Sequence, residues 1–318
     1  MLDRLVVLLD GSTLAECILP HVVTVARAFT AQVSLLHVLE PGLTLGRPEP
    51  IDPLAWHIGK AEARTYLDDV ADRLQQVGLQ VETALLEGHA ATTIVDFAAD
   101  RDAGLVFLSS HGRSGLSGWN VSSVAQQVIL RIRRSVFIAR AYQPAIPDLE
   151  GAHYRRVLVP LDISQRAESV LPVVTTLARH AGGQTLVAHV VRRPEMPSRE
   201  PLSPEDAGLA EQLVQRNLRE ATTYLDQLNA RMPIDVECRL LNAESVALAL
   251  NDLANQEQVD LVVLSAHGYT GAARFPYGSL VTSFIAYGSA PLLIVQDLSP
   301  DELRPTQAEV VSSEYKGH

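Results

Sequence analysis

Arg4-Leu-Val-Val-Leu-Leu-Asp10-Gly-Ser12 and Arg156-Val-Leu-Val-Pro-Leu-Asp162-Ile-Ser164 are two spellings of one segment, and their recurrence decides the fold. In each, a short continuous apolar run reads as a strand buried on both faces. The aspartate ends it, and the serine two residues on is placed to cap whatever helical turn follows. His37-Val38 returns as His189-Val190 at the same offset of 152 residues (Asp10 to Asp162). Leu108-Ser109-Ser110-His111-Gly112 returns as Leu264-Ser265-Ala266-His267-Gly268, offset by 156 (His111 to His267), so the second copy has gained about four residues in between. The chain is two tandem copies of one unit.

Its 318 residues suit two domains, each large enough to bury its own core. The formal net charge of −11 disfavours nucleic acid and anionic membrane surfaces, which attract basic faces. It does not disfavour a small anion, which backbone N–H groups at a helix start can hold without net positive charge. Cys17 and Cys238 fall at non-equivalent places in the two copies, so they read as buried fillers and not as a disulfide or a thiolate metal site. The first apolar run is of strand length, too short for a signal peptide or membrane span, and a cytoplasmic protein is expected.

Outward from Asp10 the pattern alternates. Leu14, Ile18, Val22, Val25 and Phe29 share a helical stripe, with Pro20 in its path and Pro172 at the same place in the second copy, predicting one kinked helix in each. Strands are expected at Val33 to Leu39, Val81 to Leu86, Leu105 to Ser109 and Val136 to Ala139, with helices over about Gly59 to Gln76, from Gly88 to Arg101, and over Val121 to Arg131. The second copy repeats the order. Strand–helix alternation with apolar strands means a parallel sheet covered by helices on both faces. The expected fold is therefore α/β, as two tandem five-stranded parallel α/β sandwiches. Domains are expected at 1–140 and 155–298, joined by a linker over 141–154 and followed by a polar, disordered tail at 299–318. Pro41 to Trp56 and Arg192 to Gly208 read as long proline-rich loops, either plain connections or lids.

For strand order 3-2-1-4-5, the crevice at the carboxyl edge separates the first and fourth strands, so Asp10 meets the His111-Gly112 loop and Asp162 the His267-Gly268 loop. With these motifs in register twice over, the chain resembles a tandem universal stress protein, an adenine nucleotide alpha hydrolase-like fold. In the ATP-binding branch of that family the phosphate loop reads Gly, two residues, Gly, nine residues, then Gly followed by Ser or Thr. The second copy gives Ser265, Gly268, then Tyr269 to Tyr277, Gly278 and Ser279; the first gives Ser109, Gly112, Arg113 to Val121, Ser122 and Ser123. Ser stands for the first glycine in both, and only the second copy keeps the last.

The resemblance implies ATP as the ligand, with Mg²⁺ as its companion ion. Asp162 reads the adenine or orients the first loop, Val190 lines the base pocket, and His267, Gly268, Gly278 and Ser279 surround ribose and phosphates. Asp10, Val38, Gly112, Ser122 and Ser123 are the first copy's counterparts. Alternatives stand beside these roles: Asp162 or Ser164 as a helix cap, His37 and His189 as packing residues, His111 and His267 as loop-structuring groups, Arg274 as a phosphate partner or a solvated surface cation. If position 278 demands positive φ, Ser122 costs about 1–2 kcal/mol, and a blocked charge-assisted hydrogen bond about 1.5–3 kcal/mol more. The second copy is thus the expected nucleotide site. No Lys-Ser/Thr follows a glycine-rich turn, so there is no P-loop. A regulatory nucleotide-binding protein is expected ahead of a slow ATPase or a scaffold whose sites have decayed. Apolar edge strands Val136 to Ala139 and Leu292 to Val295 predict that the two copies cover each other as a pseudo-dimer, leaving any homodimer to another surface.

Overall fold

In the computed structural model, which describes residues 2–40, 43–44, 47–48, 52–113, 121–141, 149–194, 203–269 and 277–297, each copy is a five-stranded α/β unit. The first contains β1 (Arg4–Leu8), α1 (Leu19–Phe29), β2 (Gln32–Leu39), α2 (Pro53–Gln76), β3 (Val81–Glu87), α3 (Ala90–Asp100), β4 (Leu105–Ser109), α4 (Ser123–Arg131) and β5 (Ser135–Ala139). The second contains β6 (Arg156–Pro160), α5 (Leu171–Ala181), β7 (Gln184–Arg192), α6 (Pro204–Arg231), β8 (Val236–Ala243), α7 (Val246–Gln256), β9 (Leu261–Ser265), α8 (Ser279–Tyr287) and β10 (Leu292–Val295). A two-residue-per-strand hairpin pairs Leu43–Thr44 with Arg47–Pro48. Residues 142–148 of the expected linker, the middle of both proline-rich loops, Arg274 and the tail from 298 lie outside the described residues.

All ten long strands form one sheet, ordered β8-β7-β6-β9-β10-β5-β4-β1-β2-β3, which is 3-2-1-4-5 in each half. Neighbours within a half are parallel. The halves meet where β10 pairs antiparallel with β5, placing Leu292 opposite Ile138, Leu293 opposite Phe137 and Ile294 opposite Val136. Alternation along the strands feeds two cores, one per face: Leu5, Val7, Val157 and Val159 go to one side, Val6 and Leu158 to the other, and both cores run through both halves. Pairing the two last strands removes the apolar edges that each half alone would expose. The two cysteines are partly buried and pack against the first of these cores.

Next to the seam, α1 packs on α5, and His21 Nδ1 of α1 lies 2.9 Å from Tyr154 Oη, its ring stacked on that of Tyr154 and tilted against that of Phe137. Arg140, just past β5, is fully buried and reaches into the other half. It donates to the carbonyls of Phe284 (2.8 Å), Ile285 (3.3 Å) and Ala290 (3.1 Å) at the carboxyl end of α8. A cation there satisfies orphan carbonyls and complements the helix dipole.

Two local expectations are corrected. Pro20 and Pro172 do not kink one long helix; each sits in the first turn of α1 or α5, after a separate helical turn over Ala15–Ile18 or Gln165–Glu168. Proline lacks only an N–H that a first turn leaves unpaired, so it starts a helix more readily than it bends one. For the same reason α2 and α6 begin earlier than read, at Pro53 and Pro204, capped by Asp52 (accepting from Leu54 N at 3.0 Å) and Ser203 (accepting from Asp206 N at 3.1 Å). The carboxyl-terminal ends of the two proline-rich segments are therefore helix.

Candidate functional site

Both strand-end aspartates tie two loops together. Asp10 Oδ1 accepts from Ser12 N (3.0 Å) and Ser12 Oγ (2.6 Å), while Oδ2 accepts from Arg113 N (2.5 Å) across the crevice. Asp162 does the same with Ser164 N (3.1 Å), Ser164 Oγ (2.6 Å) and Tyr269 N (2.6 Å). Ser12 and Ser164 in turn cap the helical turns behind them, accepting from Ala15 N and Ala167 N at 3.1 Å. The sequence reads Asp162 as an adenine contact, a loop tie or a helix cap; in this structure its two carboxylate oxygens tie the loops together, and the cap is supplied by the serine. Gly112 and Gly268 follow from it, because a Cβ at either would collide with the aspartate's Oδ2.

Serine in place of the first glycine also has an internal use. Ser109 Oγ donates to the His111 carbonyl (2.6 Å), and Ser265 Oγ to that of His267, so each hydroxyl closes the turn that carries the glycine. His111 and His267 are both 2 % exposed. His111 Nδ1 lies 3.2 Å from Ser110 Oγ, whereas His267 Nδ1 lies 2.8 Å from the buried Asp297 carboxylate, which also accepts from His267 N (3.0 Å) and Arg166 Nη1 (3.3 Å). Both rings are thus held by neighbouring protein groups. His189 Nδ1 is bonded to the Leu161 carbonyl (2.7 Å), while His37 Nδ1 is buried with no partner among the described residues.

The difference at the last glycine is not a matter of φ. Gly278 (φ −74°, ψ 171°) and Ser122 (φ −69°, ψ 163°) are both extended, and each donates its N–H to a matching carbonyl, Ala266 O (2.7 Å) or Ser110 O (2.6 Å). No strain attends serine, so the expected 1–2 kcal/mol penalty does not arise. What differs is the helix start. Ser122 Oγ accepts from Ala125 N (3.3 Å) and caps α4 itself, while α8 begins at Ser279 behind a glycine that contributes no side-chain cap. A Cβ at Gly278 would make only ordinary contacts with protein.

In the first half Asp10, Val38, Gly112, Ser122 and Ser123 line one cavity of about 390 Å³ between β1, β2 and β4. In the second, Asp162 and Gly268 are in contact, Gly278 bonds back to Ala266 beside them, and Val190 is buried near the end of β7. The stretches 114–120 and 270–276 between the glycine-loop ends lie outside the described residues.

Sequence reasoning missed a second duplicated cluster. Arg73 pairs with Glu16 (2.9 Å), as Arg231 does with Glu168 (2.5 Å), and Tyr224 Oη donates to Glu168 (2.8 Å) at the place Tyr66 holds in the first half. Burial raises both tyrosines' pKa values. The signal was present in the repeat, since Tyr66 and Arg73 recur at one offset, but it lay outside the motifs. Also missed were Glu40, which accepts from Ala90 N (2.6 Å) at the start of α3, and Asp297. Among the described residues no helix is long and apolar enough to cross a membrane.

A family model described as the universal stress protein family matches residues 1–140 and 153–296, and the chain belongs to that family. The universal stress protein MJ0531 of Methanocaldococcus jannaschii is 28 % identical over 138 residues, covering 43 % of this chain and 81 % of its own. The universal stress protein YxiE of Bacillus subtilis is 26 % identical over 137 residues, covering 40 % of this chain and 92 % of its own. A solved universal stress protein from Archaeoglobus fulgidus superposes with a TM-score of 0.65 at 15 % identity, covering 94 % of this chain and all (100 %) of that one, a likeness of fold across both halves.

Proposed function

We propose that the protein is a regulatory, ATP-binding universal stress protein of the cytoplasm whose principal nucleotide site is in the second half. The observation that carries this reading is the start of α8. Gly278 contributes no side chain there and Ser279 is exposed, so the first N–H groups and the Ser279 hydroxyl form a donor set suited to phosphate oxygens. In the first half the Ser122 hydroxyl already occupies the equivalent start. Asp162 and Gly268 would fix the loop beside the base, and Val190 would line it. Bound ATP supplies a charged ligand able to bias conformation or association, and Mg²⁺ would travel with its phosphates. Among the described residues the repeated motifs offer no positioned base, which supports binding over turnover as the purpose.

Calorimetric titration of the full chain with ATP, before and after Gly278→Val, tests this. A β-branched side chain at the α8 start should remove binding while leaving the fold intact. Undiminished affinity in a folded variant would place the phosphates elsewhere; wild-type protein that neither retains nor binds nucleotide would favour the scaffold reading.

A further inference from the structure

We propose that the crevice of the first half is a second site with a different ligand class, an uncharged planar heteroaromatic of the nucleoside type in preference to its phosphorylated forms, and that Glu40 sets this preference. The proposal rests on the nucleotide reading of the second half, of which this crevice is the duplicate, and departs from it where the two halves differ.

Its cavity, of about 390 Å³, falls within the usual range of small-ligand pockets, and Val38, Ile94, Leu108 and Val128 give it apolar walls. Two helices start in its lining, and protein groups have taken both starts. Ser122 Oγ caps α4 at Ala125 N (3.3 Å), and a carboxylate, Glu40, caps α3 at Ala90 N (2.6 Å). The second of these matters more, because an anion already rests where a phosphate would seek backbone donors.

Matched positions sharpen the contrast. Glu40 corresponds to Arg192, which is followed by Arg193, so the mouth that carries an acid after β2 carries two bases at the end of β7. Arg113 supplies one cation to the first crevice, against the carboxylates of Asp10 and Glu40. A triphosphate would meet the Asp10 and Glu40 carboxylates against the Arg113 cation of the cavity lining, a like-charge repulsion at the mouth. An uncharged ring meets no such barrier. His37 borders the cavity from the other face of the sheet, 6 % exposed and edge-on to Tyr66, and burial holds its pKa below the ordinary value although the nearby Asp10 acts to raise it.

The experiment uses the full chain with Gly278→Val, which silences the second half, and titrates adenosine and ATP by calorimetry. Adenosine should bind, with ATP weaker by at least about tenfold. Glu40→Gln keeps an acceptor for Ala90 N but removes the charge, and should narrow the adenosine-to-ATP ratio by about fivefold or more. Should Gly278→Val not fold, amide exchange of wild-type protein gives the same answer, adenosine slowing exchange at Val38 and Ser123. Equal affinity for ATP and adenosine, an unmoved ratio in Glu40→Gln, or no adenosine footprint at those amides each overturns the proposal. If wild type binds ATP while Gly278→Val binds neither ligand, this proposal fails and the second-half site stands. If Gly278→Val leaves ATP affinity untouched but adenosine still marks Val38 and Ser123, the second-half reading fails and this one survives.

Discussion

Gly268 lies directly on the carboxylate of Asp162, so close that any Cβ would overlap Oδ2, and Gly112 stands in the same relation to Asp10. The glycine is there to admit the aspartate, and the aspartate to hold the loop through Tyr269 N. Gly268→Ala should cost about 1–3 kcal/mol by overpacking. Asp162→Ala removes the obstacle, so the double variant should be less destabilised than the sum of the two singles. Urea unfolding of the four proteins measures this; strict additivity would mean the two residues do not meet.

Arg140 makes the seam between the halves depend on one buried cation. Arg140→Met should destabilise the protein by about 3 kcal/mol, because it leaves helix-end carbonyls buried without their charged donor. Hydrogen exchange should quicken at Val136 to Ile138 and Leu292 to Ile294, the amides nearest the antiparallel pairing, more than in β2 or β7.

The two first helices end differently, in Thr30 (φ 51°) for α1 and Gly182 (φ 72°) for α5. A β-branched residue is strained in that left-handed region, where glycine is not. Thr30→Gly should therefore stabilise the chain by about 0.5–1 kcal/mol in thermal or urea unfolding, the folded-state relief exceeding glycine's added entropy when unfolded.

Burial holds the His21 pKa down, from 6.5 to about 4. The unfolded chain therefore takes up this proton first, so the stability tied to neutral His21 is complete above about pH 6.5 and is lost as pH falls towards 4. The loss amounts to roughly 3 kcal/mol at most. His21→Phe, which keeps a ring between Phe137 and Tyr154, should flatten the stability profile over that interval by about one proton.

Strand positions and their order were legible because apolar runs repeat in register with turn residues, and two copies cross-check each other. Proline misled at Pro20, Pro53 and Pro204, since the same residue that breaks a helix interior also opens a helix, and only the cap geometry separates the cases. At the site, Asp162 and Gly268 were found from spacing, but the reason for the glycine was not, because it lies in a neighbour 106 positions away (162 to 268). Of the two costs expected at Ser122, backbone strain is absent, while the hydroxyl does occupy a helix-start N–H, that of Ala125. Glu40 and Asp297 carry no motif; their roles come from what the folded chain brings beside them.

Joining both halves in one continuous sheet has an evolutionary consequence. Two identical chains paired through their last strands must present the same residue at both crevices, so a change that suits one is imposed on the other. A covalent tandem is released from that tie while keeping the shared seam. Gly278 against Ser122 and Arg192 against Glu40 are divergences that a symmetric partner of itself could not hold, and the fusion lets one molecule specialise its two openings independently.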